Sequence, residues 1–229
     1  MTGVQERPRT MTKEHRFALG LTALALLATL ALLLVLPRID ANRAALLGRG
    51  DYTLGTTDGS AFTEASLKGA PSAVFFGFTH CPEVCPTTMG DIATWKEDLP
   101  QSADLRVFFV SVDPERDTPE LLHDYVSWVP GVTGVTGDPS ETAKAIGAFG
   151  VQAERIDFSE GGYTMDHSAY VMLFDADGLF VETIPYQSNF AEAEEKLRNL
   201  LEGNPEGRGA RLPRDPIGWL CFSVQAALS

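Results

Sequence analysis

Apolar residues along the chain follow two patterns, which predict buried strands and amphipathic helices. Residues 73–78 and 105–112 are predominantly apolar runs of strand length, as expected for strands that are buried on both faces. After each run, within 87–99 and 119–126, apolar residues recur every three or four positions, which predicts a helix with one buried face. The pattern therefore predicts a strand–helix–strand–helix unit.

Turn signals place the remaining elements. The tetrapeptides TDGS at 57–60 and DADG at 175–178 are typical of hairpins. The other predicted elements are a helix that begins at 137–140 and ends at 149, a polar loop through 161–162, strands at 169–174 and 179–184, and a final helix at about 189–201. This order of strands and helices is that of a thioredoxin-like fold.

A stretch of 20 residues without a charge, 17–36, lies near the N-terminus. As a helix rising about 1.5 Å per residue it would span roughly 30 Å, the thickness of a bilayer's hydrocarbon core. It is longer than the core of a typical signal peptide, and no small-residue cleavage site follows it, although a cleaved signal is the alternative. Basic residues precede the stretch, which predicts a cytoplasmic N-terminus and an exported domain.

The chain is thus expected to hold one folded domain behind an N-terminal membrane anchor. Its 229 residues suffice for one domain of ordinary size and additional segments. The predicted organisation is a cytoplasmic N-terminus at 1–16, a single transmembrane helix at 17–36, a tether at 37–50, an α/β thioredoxin-like domain at 51–202, and a C-terminal tail without an assigned role at 203–229.

Charge is unevenly distributed along the chain, whose net charge is −13. The segment 1–50 carries +4, the predicted domain at 51–202 carries −18, and the tail carries +1. So acidic a domain repels phosphate backbones, which excludes nucleic acid as a partner and favours cations or basic protein surfaces.

Two of the three cysteines, Cys81 and Cys85, lie close together between a predicted strand and a predicted helix. Three cysteines are too few for a disulfide scaffold, so a local functional pair is the better interpretation, and Cys221 in the tail is not expected to contribute. The N–H groups and the dipole at a helix N-terminus favour thiolates. A spacing of four residues on one helical face would let both sulfurs meet one ion, but it also permits a redox pair.

Three segments around this pair resemble the signatures of the Sco/SenC family and occur in the order expected for it. The first is FGFTHCPEVCP at 76–86, the second is SVDPERDT at 111–118, and the third is YTMDHS at 163–168. The resemblance covers about residues 50–202. Three collinear segments are far more specific than a single Cys-x-x-x-Cys motif.

The resemblance implies that Cys81, Cys85 and His167 are copper ligands. In this family the site binds Cu(I) and also Cu(II), and the two cysteines can form a redox disulfide. Thiolates are soft ligands that suit Cu(I), and an imidazole completes a low-coordinate site. Only the reduced pair offers two thiolates, so copper binding and redox state are linked.

The function that the resemblance implies is that of a copper metallochaperone. Such a protein receives copper from an upstream donor and delivers it to the binuclear copper site of the copper-binding subunit of cytochrome c oxidase during assembly. The predicted location is a bacterial inner membrane, with a single span and the domain facing the periplasm. A mitochondrial inner membrane is the alternative, disfavoured because the short basic N-terminus does not resemble a long Arg- and Ser-rich presequence.

Two enzyme activities on the same fold remain open. A thiol-disulfide reductase could act on the cysteines of the oxidase subunit, and a thiol peroxidase could use a single cysteine. Residues 163–174 contain His167 but no proline, whereas plain thioredoxins place a cis-proline there, which favours metal binding. A peroxidase is the weakest alternative because Thr79 has no obvious arginine close to it in the sequence.

Other residues near the predicted site have structural interpretations. His80 is expected to shape the turn, and Met165 is expected to pack rather than to bind copper. Asp166 either orients His167 or is an exposed loop carboxylate. Residues 113–114 and 116–117 either fix the loop beside the site or only end a strand and cap a helix, and the second interpretation explains most of them.

Overall fold

The computed structural model describes residues 13–99 and 104–203, and the chain divides into two compact units, 1–40 and 41–229. Helix α1 (Lys13–Ala44) includes the stretch predicted as an anchor. Among the described residues, no helix combines the length and the apolar character needed to cross a membrane, so this anchor stays a prediction. Most of the predicted N-terminal segment and the tail with Cys221 lie outside the described residues.

Strands and helices alternate through most of the second unit. They are β1 (Leu54–Thr56), β2 (Ala61–Phe62), β3 (Ser72–Gly77), α2 (Val84–Asp98), β4 (Arg106–Ser111), α3 (Pro119–Val126), β5 (Val132–Thr136), α4 (Pro139–Phe149), β6 (Ala153–Asp157), β7 (Tyr163–His167), β8 (Tyr170–Phe174), β9 (Phe180–Pro185) and α5 (Phe190–Leu201). A short 3-10 helix at Glu64–Leu67 lies between β2 and β3.

Seven strands form one mixed sheet in the order β2-β1-β5-β4-β3-β8-β9, and β6 pairs with β7 alone. The central strand β3 runs parallel to β4 and antiparallel to β8, and all its residues are buried. Strands covered on both faces need no polar side, which explains the apolar runs in β3 and β4. In their register Gly77 lies opposite Ser111, so the two loops that follow these strands begin side by side.

An aromatic cluster around Phe149 ties the ends of the domain together. Phe149, the last residue of α4, is fully buried. Its ring centroid lies 5.1 to 6.3 Å from the rings of Tyr52, Phe62, Phe76 and Phe174. Large aromatic side chains bury much apolar surface, so this cluster joins the N-terminal hairpin to the central strands.

Helix ends follow the local signals in the sequence. Thr118 caps α3 by accepting a hydrogen bond from the N–H of Leu121, and Asp138 caps α4 by accepting one from Ser140. Gly150 follows α4 with a φ of 63°, a left-handed conformation that favours glycine. The predicted starts of α3 and α4 and the predicted end of α4 are confirmed.

Three features differ from the sequence prediction. Strand β5 is not predicted because Gly134 interrupts its short run; a Cβ at this position would lie 2.8 Å from a side-chain carbon of Leu122. Helix α2 begins at Val84, three residues before the helical pattern predicted at 87–99. The polar loop predicted at 161–162 is confirmed, but the strands that it joins, β6 and β7, are not predicted, because β6 is mostly exposed and lacks the apolar alternation of a sheet strand.

Candidate metal centre

The loop between β3 and α2 carries both cysteines. Cys81 lies in the turn before the helix, whereas Cys85 lies in the first helical turn, after the N-cap residue Glu83. The two residues therefore do not share one helical face, and the prediction based on their spacing is wrong on this point. They meet because the turn brings Cys81 back to the N-terminus of the helix.

The Cys81 sulfur accepts a hydrogen bond from the backbone N–H of Cys85 at 3.4 Å. The backbone N–H groups at a helix N-terminus have no partner within the helix, and the sulfur satisfies one of them. The side chain of the N-cap residue Glu83 makes no capping hydrogen bond. A hydrogen bond from the Cys85 thiol, together with the nearby His167, lowers the pKa of Cys81 to about 4 in spite of desolvation by burial. Desolvation, together with the neighbouring Cys81, raises the pKa of Cys85 well above its usual value. At neutral pH the pair holds one thiolate and one thiol.

His167, the last residue of β7, brings its imidazole to the cysteines. Nε2 lies 3.5 Å from the Sγ of Cys85, and Nδ1 lies 3.1 Å from the carbonyl oxygen of Ser168. Since a carbonyl oxygen only accepts hydrogen bonds, Nδ1 carries the proton and Nε2 keeps its lone pair. The edges and faces of Phe75 and Phe78 hold the ring, with centroids at 6.3 and 5.7 Å.

The ligand atoms of Cys81, Cys85 and His167 all lie within 4.8 Å of one another. In the described part of the chain, no other group of three Cys, His or acidic residues meets this spacing. Cys85 is fully buried, whereas Cys81 is 9% exposed and lies on the solvent side. Two sulfurs and one imidazole nitrogen are donors that suit Cu(I) or Zn(II) much better than the oxygen-seeking Mg²⁺ or Ca²⁺.

The neighbouring residues lie outside this group. The His80 side chain is half-exposed, and its Nδ1 contacts the hydroxyl of the preceding residue at 3.0 Å, consistent with a role in the turn. Met165 packs against the core. Asp166 lies in a strand rather than in a loop, and its side chain projects to the face opposite that of His167. The carbonyl of Ser168, not the carboxylate of Asp166, bonds to the imidazole.

The segment 113–117 contacts both parts of the site, as the interpretation in which it fixes the neighbouring loop predicts. Asp117 accepts hydrogen bonds from the backbone N–H and the hydroxyl of Thr79, 38 residues earlier. Asp113 accepts one from the hydroxyl of Tyr163, 50 residues later. The sequence shows that acidic residues follow a buried strand directly, which suggests a role near the site. It does not show which residues they bind, because these partners are 38 and 50 positions away along the chain.

Sequence comparison relates the chain to one family. The sequence model of the SCO1/SenC family matches residues 40–202. The mitochondrial protein SCO2 of Saccharomyces cerevisiae is 32% identical over 171 residues, which cover 71% of this chain but only 56% of the yeast protein. An SCO2-like protein of Rickettsia conorii is 34% identical over 154 residues, which cover 66% of this chain and 75% of that protein.

Structural comparison identifies the same relationship. The structure of Bradyrhizobium japonicum ScoI with copper bound is 40% identical to this chain, with a TM-score of 0.61. The match covers 67% of this chain and 99% of the ScoI chain. It confirms the predicted α/β, thioredoxin-like fold of the domain.

Proposed function

This chain belongs to the SCO1/SenC family, and from that premise we propose that it is a copper metallochaperone with Cys81, Cys85 and His167 as the copper ligands. The observation that carries the proposal is the meeting of two sulfurs and one imidazole nitrogen within 4.8 Å. His167 lies 82 residues beyond Cys85 in the sequence. A separate hairpin supplies the third donor, which a dithiol acting alone would not need.

The chemistry of the three donors supports Cu(I) as the cargo, with Cu(II) as a second bound state. Soft thiolates select Cu(I), and one imidazole leaves the ion open to further ligands. Cys81 is already a thiolate at neutral pH, whereas Cys85 has to lose its proton when the metal binds. Uptake of copper therefore releases a proton. The copper bound to the B. japonicum relative supports the same metal for this chain.

Delivery requires that ligands of a partner reach the ion. Because Cys85 is fully buried whereas Cys81 is 9% exposed, we expect the partner to displace Cys81 first. Family membership supports, as that partner, the copper-binding subunit of cytochrome c oxidase, with delivery to its binuclear copper site. An upstream donor loads the chain, and the acidic surface of the domain favours basic partner surfaces.

The proposed location is a bacterial inner membrane, with residues 17–36 as a single-pass anchor and the domain in the periplasm. The uncharged stretch and the basic residues before it support this placement. One relative is a mitochondrial protein of yeast, and another is a protein of Rickettsia conorii. Family membership alone therefore does not choose between a mitochondrial and a bacterial membrane.

Copper affinity of histidine variants tests the ligand set. The reduced full-length chain should bind one equivalent of Cu(I), measured by competition with a chromophoric Cu(I) chelator. His167→Ala removes the nitrogen donor and should lower the affinity by at least about tenfold, the smallest loss common for changes around metal ligands. His80→Ala is the matched control, because His80 adjoins Cys81 but lies outside the trio, and it should bind as the parent does. Equal affinities of His167→Ala and the parent would show that His167 is not a ligand.

A thiol-disulfide reductase is the second candidate, favoured by the low pKa of Cys81. In that reaction the Cys81 thiolate attacks a target disulfide, forms a mixed disulfide and releases one target thiolate. Cys85 then loses its proton, attacks the sulfur of Cys81 and releases the second target thiolate. Two electrons pass to the target, and the chain is left with a Cys81–Cys85 disulfide that another dithiol must reduce.

The same variants separate the two candidates. A reductase should keep its disulfide-exchange activity in His167→Ala and lose it in Cys81→Ser and Cys85→Ser. A metallochaperone should lose copper affinity in all three variants. Exchange activity with a model disulfide peptide, measured beside the Cu(I) affinity, therefore decides which activity depends on His167.

A further inference from the structure

The hairpin of β6 and β7 carries His167 but shares no strand pairing with the seven-stranded sheet. Its base is held by two hydrogen bonds between Gln152 and Ser168, at 3.0 and 3.1 Å. Sheet hydrogen bonds therefore do not determine how the hairpin is tilted relative to the cysteines. Side-chain contacts farther along the hairpin must do so.

Tyr163, at the start of β7, makes these contacts. The guanidinium carbons of Arg116 and Arg155 lie 3.8 and 3.7 Å from its ring centroid, so close that the two groups must occupy opposite faces of the ring. The tyrosine hydroxyl donates to Asp113 at 2.8 Å, and Arg116 donates to the backbone carbonyl of Tyr163 at 3.0 Å. Arg116 also pairs with Asp113, whose side chain is only 3% exposed. Shielding from water strengthens these charged contacts.

Tyr163 and His167 project from the same face of β7, because alternate residues of a strand point the same way. Met165 lies between them and packs against the core. Four residues at about 3.3 Å each separate the two ends of this face by roughly 13 Å. A strand held at Tyr163 and at its base has a fixed tilt, and with it a fixed direction for the His167 ring.

The segment that holds Tyr163 also holds the loop of the cysteines. The Asp117 side chain is fully buried and accepts hydrogen bonds from the hydroxyls of Thr79 and Ser111, both at 2.6 Å. The backbone N–H of Thr79 donates to the same carboxylate at 3.2 Å. Thr79 stands two residues before Cys81. Residues 113–117 thus contact both segments that supply donors.

We propose that residues 113–117 form a brace that sets the position of His167 relative to the two sulfurs, with Arg116 as a positioning residue for His167. The inference rests on the proposed copper site and adds to it residues that bind no metal. Asp117 holds the cysteine loop, while Arg116 and Asp113 hold the hairpin. Residues that orient metal ligands commonly change metal affinity without contacting the metal.

A double-mutant cycle on the full-length chain tests whether Arg116 acts through His167. Arg116→Gln removes the guanidinium and should lower the Cu(I) affinity of the parent by about tenfold, at the lower end of effects of ligand-orienting residues. In a His167→Ala background the same substitution should have no effect on affinity, because the ligand that it positions is gone. Cu(I) affinity is again measured by competition with a chromophoric chelator.

Arg198→Gln is the matched control. It removes a guanidinium of the same kind from α5, outside the brace and the hairpin, where Arg198 is half-exposed and pairs with Glu194 one turn earlier. Exposed ion pairs contribute little, so Cu(I) affinity should remain that of the parent. The absorption spectrum of the Cu(II)-loaded chain should likewise change in Arg116→Gln and not in Arg198→Gln, since only the former reorients a ligand.

Two results would overturn the brace. One is an equal loss of affinity on Arg116→Gln with and without His167, which would mean general destabilisation; the other is no loss in the parent. If Arg116→Gln does not fold, Tyr163→Phe takes its place in the same cycle, because it removes only the hydroxyl bond to Asp113.

A measurement without copper separates failure of the brace from failure of the proposed function. In the metal-free chain, amide hydrogen exchange of β7 should be faster in Arg116→Gln than in the parent, while that of β3 stays the same. If the parent binds no Cu(I), the proposed function fails, and the exchange rates of β7 still decide on the brace. Unchanged exchange in β7 would show that Arg116 does not hold the hairpin.

Discussion

Gly77, the last residue of β3, leaves the space that the Cys85 sulfur occupies. A Cβ at this position would lie 2.8 Å from the Cys85 Sγ and 2.9 Å from a ring carbon of Phe109. Both neighbours are fully buried and have little room to move. At the scale of the single residue, the absence of a side chain is what places the sulfur.

Gly77→Ala is therefore expected to weaken both folding and copper binding. Overpacking of a buried site costs about 1–3 kcal/mol in the free energy of unfolding, and displacement of the Cys85 sulfur should lower the Cu(I) affinity. Urea unfolding and chelator competition measure the two effects. Gly90→Ala is the control, because Gly90 lies in α2 with no atom within 4 Å of the added Cβ, and alanine there should stabilise the helix. A Gly77→Ala chain with the stability and affinity of the parent would contradict this account of the sulfur's position.

Cys81 should react as a thiolate far below the pH at which ordinary cysteines do. The pKa of its thiol is lowered to about 4, and because the thiolate is the reactive form, alkylation should accelerate as the pH rises through this value and level off above it. The rate of modification of the reduced, metal-free chain by iodoacetamide, followed by mass spectrometry from pH 3 to 8, checks this, with circular dichroism confirming the fold at each pH. Cys85, which is buried and has a raised pKa, should stay unmodified. A rate for Cys81 that still increases between pH 7 and 8 would rule out the lowered pKa.

At the scale of elements, the ends of β3 and β4 determine where the site forms. The two strands are parallel and end beside each other, at Gly77 and Ser111. The loop that carries the cysteines and the brace therefore start as neighbours and join through Asp117. Helix α3 begins directly after the brace, at Pro119.

Thr118 should stabilise the start of α3 without taking part in copper binding. Its side chain accepts a hydrogen bond from the N–H of Leu121, and loss of such a cap costs about 1 kcal/mol. Thr118→Ala should lower the free energy of unfolding by this amount, and Thr118→Ser, which keeps the acceptor, should retain most of it. Urea unfolding of the parent and both variants measures the difference. Equal stability of the alanine and serine variants would mean that the cap contributes nothing.

At the scale of the whole molecule, one aromatic cluster joins segments from both ends of the domain. The ring of Phe149 contacts Tyr52 and Phe62 on the N-terminal side, Phe76 in the central strand, and Phe174 in the C-terminal hairpin. Its removal affects the packing of all these segments together.

Phe149→Ala should consequently be among the most destabilising single changes, at about 4 kcal/mol, because it leaves a large cavity in a packed core. Phe158→Ala is the control: its ring is 46% exposed at the tip of the β6–β7 hairpin, and its loss should change stability by no more than about 0.5 kcal/mol. Chemical denaturation followed by circular dichroism compares the two. Similar midpoints for both variants would refute the central role of the cluster.

Local features of this protein were determined by the sequence alone. The hairpin turns, the caps at Thr118 and Asp138 and the stop at Gly150 depend on residues a few positions apart, whose interactions do not require the rest of the fold. The buried strands β3 and β4 could also be predicted from the sequence, because each is a largely apolar run of strand length. The three proposed ligands came from the resemblance of three short motifs to a family, not from the spacing of the residues.

Only the tertiary structure decided how these parts meet. The distance between Cys85 and His167 depends on the packing of a hairpin against a sheet, 82 residues along the chain, and no local rule contains it. The return of Cys81 to the helix N-terminus and the contacts of 113–117 are of the same kind. Local sequence sets which conformation a segment prefers. The contacts between side chains of different segments depend instead on the packing of the whole domain, because packing reduces the exposed apolar surface of all elements together.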